Sequence, residues 1–194
     1  MIRFKDKHKG ETAWIIGKGT SLFHLSRNDI GNGPIIAIYE AIVPIEILNF
    51  PNELFSLQKD GGARKRNPLS DDPECDDRQC DFCKGMVTPK RATLLLHEKE
   101  AKYCFEDYPR RLLFTLEEIG LPNNEFSLVC ALKIAQFMGC DKFRFVSCDA
   151  HANGDIGNFI PLFNKEYYGW IYGMQKDILP KYLEGLDYEW VTPK

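Results

Sequence analysis

No apolar run in this chain approaches the roughly 20 residues that a membrane-spanning helix needs, so no membrane partner is expected. The opening MIRFKDKHKG is charged where a secretory leader would be apolar, and a cytoplasmic location is the expectation. Neither sign of charge prevails. The 25 Lys and Arg stand against 28 Asp and Glu, for a formal net charge of −3, which removes any general electrostatic reason to bind nucleic acid. There is no internal repeat. The Gly-x-Gly-x-x-Gly fingerprint is missing, because Leu22 stands where its third glycine would be, and no Gly-Lys-Ser/Thr triplet marks a P-loop.

What is present is enough apolar material for one domain: 44% of 194 residues are hydrophobic, sufficient for a single buried core spanning residues 1–194. Trp14-Ile15-Ile16, Ile35 to Ile38, Leu54 to Leu57, Thr93 to Leu96, Phe143 to Val146 and Tyr188 to Val191 read as strands. Between them lie helical stretches. The clearest runs from Ser127 to Met138, where Leu128, Ala131, Leu132, Ala135 and Met138 recur at helical spacing before Gly139 ends the helix. A second runs from Tyr172 to Leu183. Continuous apolar strands separated by helices predict an α/β fold, a mostly parallel sheet covered by helices on both faces. Residues 60–92 break this rhythm. They are charged, rich in Gly, Pro and Asp, and nearly free of aliphatic side chains, which marks an insertion or a lid loop.

Ligands of open parallel sheets bind outside the carboxyl ends of the strands, so the residues following each strand are the candidates. They are Gly17-Lys18-Gly19-Thr20-Ser21, Tyr39-Glu40, Gln58-Lys59-Asp60, His97-Glu98 and Cys148-Asp149-Ala150-His151. In the first group, glycines allow close backbone approach to a phosphate. Thr20 or Ser21 can also cap a following helix, with Leu22, Phe23 and Leu25 as its packing face.

The early Gly-x-Gly-x-Ser-Leu after an apolar strand, and the late Ser127, Ala131, Ala135, Gly139 and strand-ending Asp149, resemble the bacterial sialyltransferases built on a single Rossmann-like domain. The pattern is similar also to the pterin diphosphokinase-like families, which often include phage proteins. Gly17, Gly19, Ser21 and Leu22 match the usual Gly-Asn-Gly-Pro-Ser-Leu, with Lys18 in place of Asn and Thr20 in place of Pro. The family's second strand ends in Cys-Asn or Thr-Asn, against Ile38-Tyr39 here, and its late general-base histidine has no counterpart beyond His151. Trp14 to Leu22 and Phe126 to Asn153 carry the likeness; the middle of the chain is unmatched.

The resemblance and the strand ends together imply a glycosyltransferase-like enzyme with a nucleotide-activated sugar as donor. Gly17, Lys18, Gly19, Thr20, Ser21, Tyr39, Glu40, Gln58 and Ser127 are the expected nucleotide contacts. Asp60, His97, Asp149 and His151 are the candidate bases for deprotonating the acceptor hydroxyl, and Lys18 a candidate electrophile for the leaving phosphate. Basic clusters at Arg64-Lys65-Arg66, Lys90-Arg91 and Arg110-Arg111 leave room for a polymer acceptor such as modified DNA. Two alternatives stand beside this: an ATP-dependent diphosphokinase of the pterin type, with Asp149 and Asp155 on magnesium, and a nucleotide-binding module without catalysis.

Seven cysteines is an odd number in a chain without a leader, which favours thiols or metal ligands over a disulfide framework. Cys130, Cys140 and Cys148 sit in apolar context as small core residues. Cys75, Cys80 and Cys83 bring three soft ligands together in the coreless insertion, with Cys104 or His97 as the fourth of a structural zinc site. Zinc binding on the order of 10 kcal/mol is enough to order a short clip of such a loop. The expected result of metal analysis is about one zinc per chain, lost in a Cys80→Ser, Cys83→Ser double variant that keeps its core fold; well under half an equivalent in protein purified without chelator refutes the clip.

Overall fold

The computed structural model describes residues 1–58, 89–98, 108–122, 125–149 and 174–194. Asp60, Cys75, Cys80, Cys83, Cys104, His151, Asp155 and most of the insertion lie outside them, while His97 lies within. The seven strands are β1 (Thr12–Ile16), β2 (Ile35–Ile38), β3 (Leu54–Gln58), β4 (Thr93–His97), β5 (Arg111–Phe114), β6 (Lys142–Val146) and β7 (Asp187–Val191). Among the described residues three α-helices, α1 (Ile42–Leu48), α2 (Ser127–Phe137) and α3 (Leu179–Leu183), accompany them, α3 following a π-helical turn at Met174–Ile178. The strands form one sheet in the order β5-β4-β3-β2-β1-β6-β7, and every neighbouring pair is parallel. The expected α/β architecture is therefore present, with β5 added to the six strands read from sequence. Among the described residues no helix is long and apolar enough to cross a membrane.

Strand alternation divides the core in two. Ala13, Ile15, Ile36, Phe55, Leu57, Leu95, Phe143 and Phe145 face α2, α3 and Phe4 in one cluster. Ile16, Ile35, Ala37, Leu54 and Val146 face Leu22, Leu25, Ile42, Ile45 and Phe50 in the other. A period of two along each strand, both faces apolar, is what a parallel sheet covered on both sides requires. Of the described helices α2 is the most deeply buried: Val129, Cys130, Ala131, Leu132, Ile134 and Ala135 are fully covered. Gly139 ends it at φ 89°, where a side chain would be strained. The carbonyls left open at its C-terminus are met from the N-terminal segment, by the N–H groups of Asp6 on Phe137, His8 on Met138 and Gly10 on Gly139.

The turn after β1 departs from expectation. It is a 3-10 helix, Thr20–His24, with Gly19 at its N-cap and no side-chain cap; Leu22 and Leu25 pack inward, but Phe23 is 72% exposed. Ser21 does not cap because its hydroxyl donates elsewhere. At the other side of the sheet the insertion ends earlier than its composition suggests, since Ala92 is fully buried. The Glu46 carboxylate on α1 accepts the backbone N–H groups of Lys90, Arg91 and Ala92 at 2.7, 2.8 and 2.9 Å, and the Tyr108 hydroxyl donates to the Ala92 carbonyl at 2.6 Å. Burial, then the nearby Glu46 charge, raises the Tyr108 hydroxyl above its ordinary value against the opposing pull of Arg110, so the phenol stays a donor. One carboxylate thus fixes the entry of β4. Glu46→Ala is expected to lose about 2 kcal/mol of unfolding free energy, the scale of hydrogen bonds to a charged acceptor; an unchanged urea midpoint and slope would show that the anchor is dispensable.

Candidate functional site

Strand order reverses between β1 and β6: β2 to β5 extend one way from β1, and the chain then returns through α2 to place β6 on its other side. Crevices at such reversals are the usual ligand sites of open parallel sheets. Here the loops after β2, β1 and β6 meet the start of α2. Gly17 donates its N–H to Val146 O and Gly19 to Ser147 O, both at 2.8 Å. A Cβ on Gly17 would lie 2.6 Å from the Ser147 carbonyl oxygen and 2.9 Å from Cys148 Cα, and one on Gly19 would collide with the Asp149 carboxylate. The two glycines are therefore required by the approach of the β6 loop. Their N–H groups are bonded to the carbonyls of Val146, at the end of β6, and of Ser147 just after it.

Asp149 lies over the glycine turn and accepts a hydrogen bond from Ser21 Oγ at 2.5 Å. Cys148 Sγ donates to Val146 O at 3.5 Å, and burial, the largest influence, pushes its thiol up to about 12; a group so protonated at neutral pH is no nucleophile. Burial does the same to Cys140, to about 12. On the β2 side, Lys18 Nζ pairs with Glu40 Oε2 at 3.2 Å, both side chains about one-fifth exposed, and stands 5.4 Å from the Tyr39 ring centroid. Ser127 Oγ donates to the Tyr39 hydroxyl at 3.4 Å. Tyr39 and Ser147, ending β2 and β6, both hold left-handed backbone, at φ 51° and 53°. Non-glycine residues in that region carry strain of order 1–3 kcal/mol and gather at functional sites.

The structure thus brings Gly17, Lys18, Gly19, Ser21, Tyr39, Glu40, Ser127 and Asp149 to one crevice, with Thr20 opening the 3-10 turn beside it. Gln58 is 1% exposed, its amide donating to Ser56 Oγ at 3.1 Å within β3. His97 is apart, at the end of β4 three strand spacings from β1, about 14 Å along the edge. It borders a cavity of about 650 Å³, together with Glu98, Thr115, Glu117 and Leu121, and its ring lies 5.8 Å from that of Phe114. Ser147 was not among the expected site residues, although it directly follows the last apolar residue of β6. Among the described residues no group of three or more His, Cys, Asp or Glu is arranged to hold a metal.

No protein-family model matches the sequence, and no curated protein does.

Gly17→Ala is expected to destabilise the fold on the order of 2 kcal/mol, as overpacking against rigid backbone does, because the Ser147 carbonyl has no rotamer by which to retreat. Chemical denaturation of a variant as stable as the parent would show that the two loops are not in contact.

Proposed function

We propose that this chain is a transferase that binds a nucleotide-activated sugar along the carboxyl edge of its sheet and passes the sugar to an acceptor hydroxyl. The observation that carries the reading is the reversal of strand order at β1 and β6, where polar side chains from three loops and one helix start converge and two strand ends are held in left-handed backbone. Lys18, presented after β1, supplies the one positive charge of the glycine turn. In the unliganded protein Glu40 neutralises it; a donor phosphate competes for the same ammonium, with Ser127 and the Tyr39 hydroxyl beside it.

Catalysis on this reading requires one base for the acceptor. Asp149 is engaged by Ser21 at the far end of the crevice, whereas His97 borders a cavity large enough for a small ligand, within the usual range of about 300–1,000 Å³. The acceptor hydroxyl oxygen attacks the anomeric carbon, its proton passes to the His97 imidazole, the bond from that carbon to the phosphate oxygen breaks, and Lys18 meets the charge left on the nucleotide. The donor would then lie across the ends of β6, β1, β2 and β3, with the acceptor over β4 and β5. With Glu98 and Glu117 in the cavity wall, an uncharged small acceptor suits it better than the polyanionic polymer for which the basic clusters leave room.

A melting-temperature panel tests the reading. A nucleoside diphosphate or monophosphate sugar at one hundred times its dissociation constant should stabilise the protein by roughly 2.7 kcal/mol, with slow hydrolysis of the donor when no acceptor is supplied. Stabilisation by ATP with magnesium alone would favour the diphosphokinase instead. Binding without any turnover would favour a nucleotide-sensing module, and no response to any nucleotide would end the proposal.

A further inference from the structure

The β6 end of the crevice holds a feature that neither the fold nor the transfer step uses. Ser147 is 1% exposed, and its hydroxyl has no hydrogen-bond partner. Its backbone is fully committed: the N–H donates to Val191 O at 3.1 Å, and the carbonyl accepts from Gly19 N at 2.8 Å. The residue also holds φ 53°, a conformation that glycine adopts without strain. Glycine here would relieve both the strain and the orphaned hydroxyl, and alanine the hydroxyl alone. A serine that the fold would do better without is the residue type expected of a ligand contact.

The surroundings fix the chemistry of that ligand. A phosphate at this end would need donors or positive charge. The N–H groups of Gly17 and Gly19 are spent on β6 carbonyls, Lys18 is turned to Glu40, and the group lying over Gly19 is the Asp149 carboxylate. An ionised carboxylate only accepts hydrogen bonds, so its ligand must donate. We infer that Ser147 and Asp149 together recognise the vicinal diol of the nucleoside sugar, one ribose hydroxyl donating to the Asp149 carboxylate and the other meeting Ser147 Oγ, so that the nucleotide lies with its ribose over β6 and its phosphates toward Lys18 and β2. This rests on the nucleotide reading above. It reverses the arrangement in which the glycine turn takes the phosphates and an acid after β2, here Glu40, takes the ribose.

Calorimetric titration of the full chain with AMP, GMP, CMP and UMP, each in ribo and 2′,3′-dideoxy form and each beside its nucleoside, decides the matter. For whichever base binds, the parent protein should prefer the ribo form by about tenfold or more. Ser147→Ala and Asp149→Asn should each remove most of that preference, Ser147→Ala with a melting temperature equal to or above the parent's. Lys18→Met should keep the ribo preference and lose the preference for nucleotide over nucleoside. Equal binding of ribo and dideoxy forms by the parent overturns the inference while leaving the nucleotide reading in place. So does a ribo preference that survives in Ser147→Ala or disappears only in Glu40→Gln. If none of the nucleotides binds, both fall together.

Discussion

The carboxyl edge of this protein depends on one close approach, that of the β6 loop to the turn after β1. Two glycines far upstream in sequence leave room for the Ser147 carbonyl and the Asp149 carboxylate, and two backbone hydrogen bonds of 2.8 Å lock the approach. Without it, Ser21 would have no carboxylate to bond, and the crevice at the strand reversal would lack its β6 wall. Absence of a Cβ costs backbone entropy in the unfolded chain, and contact across the reversal is what that cost secures.

The same contact explains why the edge was only half legible in the sequence. The glycines, Ser21, Lys18 and Asp149 stand out one by one, because residues after apolar strands are natural candidates. That Gly19 makes room for Asp149, and that their bonding removes N–H donors from the turn, is a long-range relation with no local trace. Ser147 escaped for a different reason: a serine after a strand is unremarkable until its backbone angle and its missing partner are known. Lys18 and Glu40 were both named, but their pairing depends on the register that sets β1 beside β2, Ile16 opposite Ala37.

The sheet was more readable, since a strand buried on both faces writes itself as an unbroken apolar run. Six strands were evident on that basis. β5 was not, because Arg111 and the partly exposed Leu113 interrupt the apolar character of an edge strand that needs only one covered face. α1 was hidden by its own composition: Ile42 to Leu48 is rich in β-branched residues and contains Pro44, so local propensity speaks for a strand. Burial of Ile42 and Ile45 against the sheet overrides it. The residue that gives α1 a second duty, Glu46, looks like any surface acid until three backbone N–H groups are found to converge on it.

The strand order also has a consequence for how the molecule comes into being. β1 is made before the other six strands of the sheet, yet one of its two neighbours, β6, is made only after β2, β3, β4 and β5. Until then β1 presents an unpaired edge, and Ala13 and Ile15 lack the cover of α2. Such an edge is a template for pairing with other chains, and closing it requires contacts of high sequence separation, which form slowly. Synthesis of the stretch from β2 to β6 is thus the interval in which this edge is most exposed to misassembly.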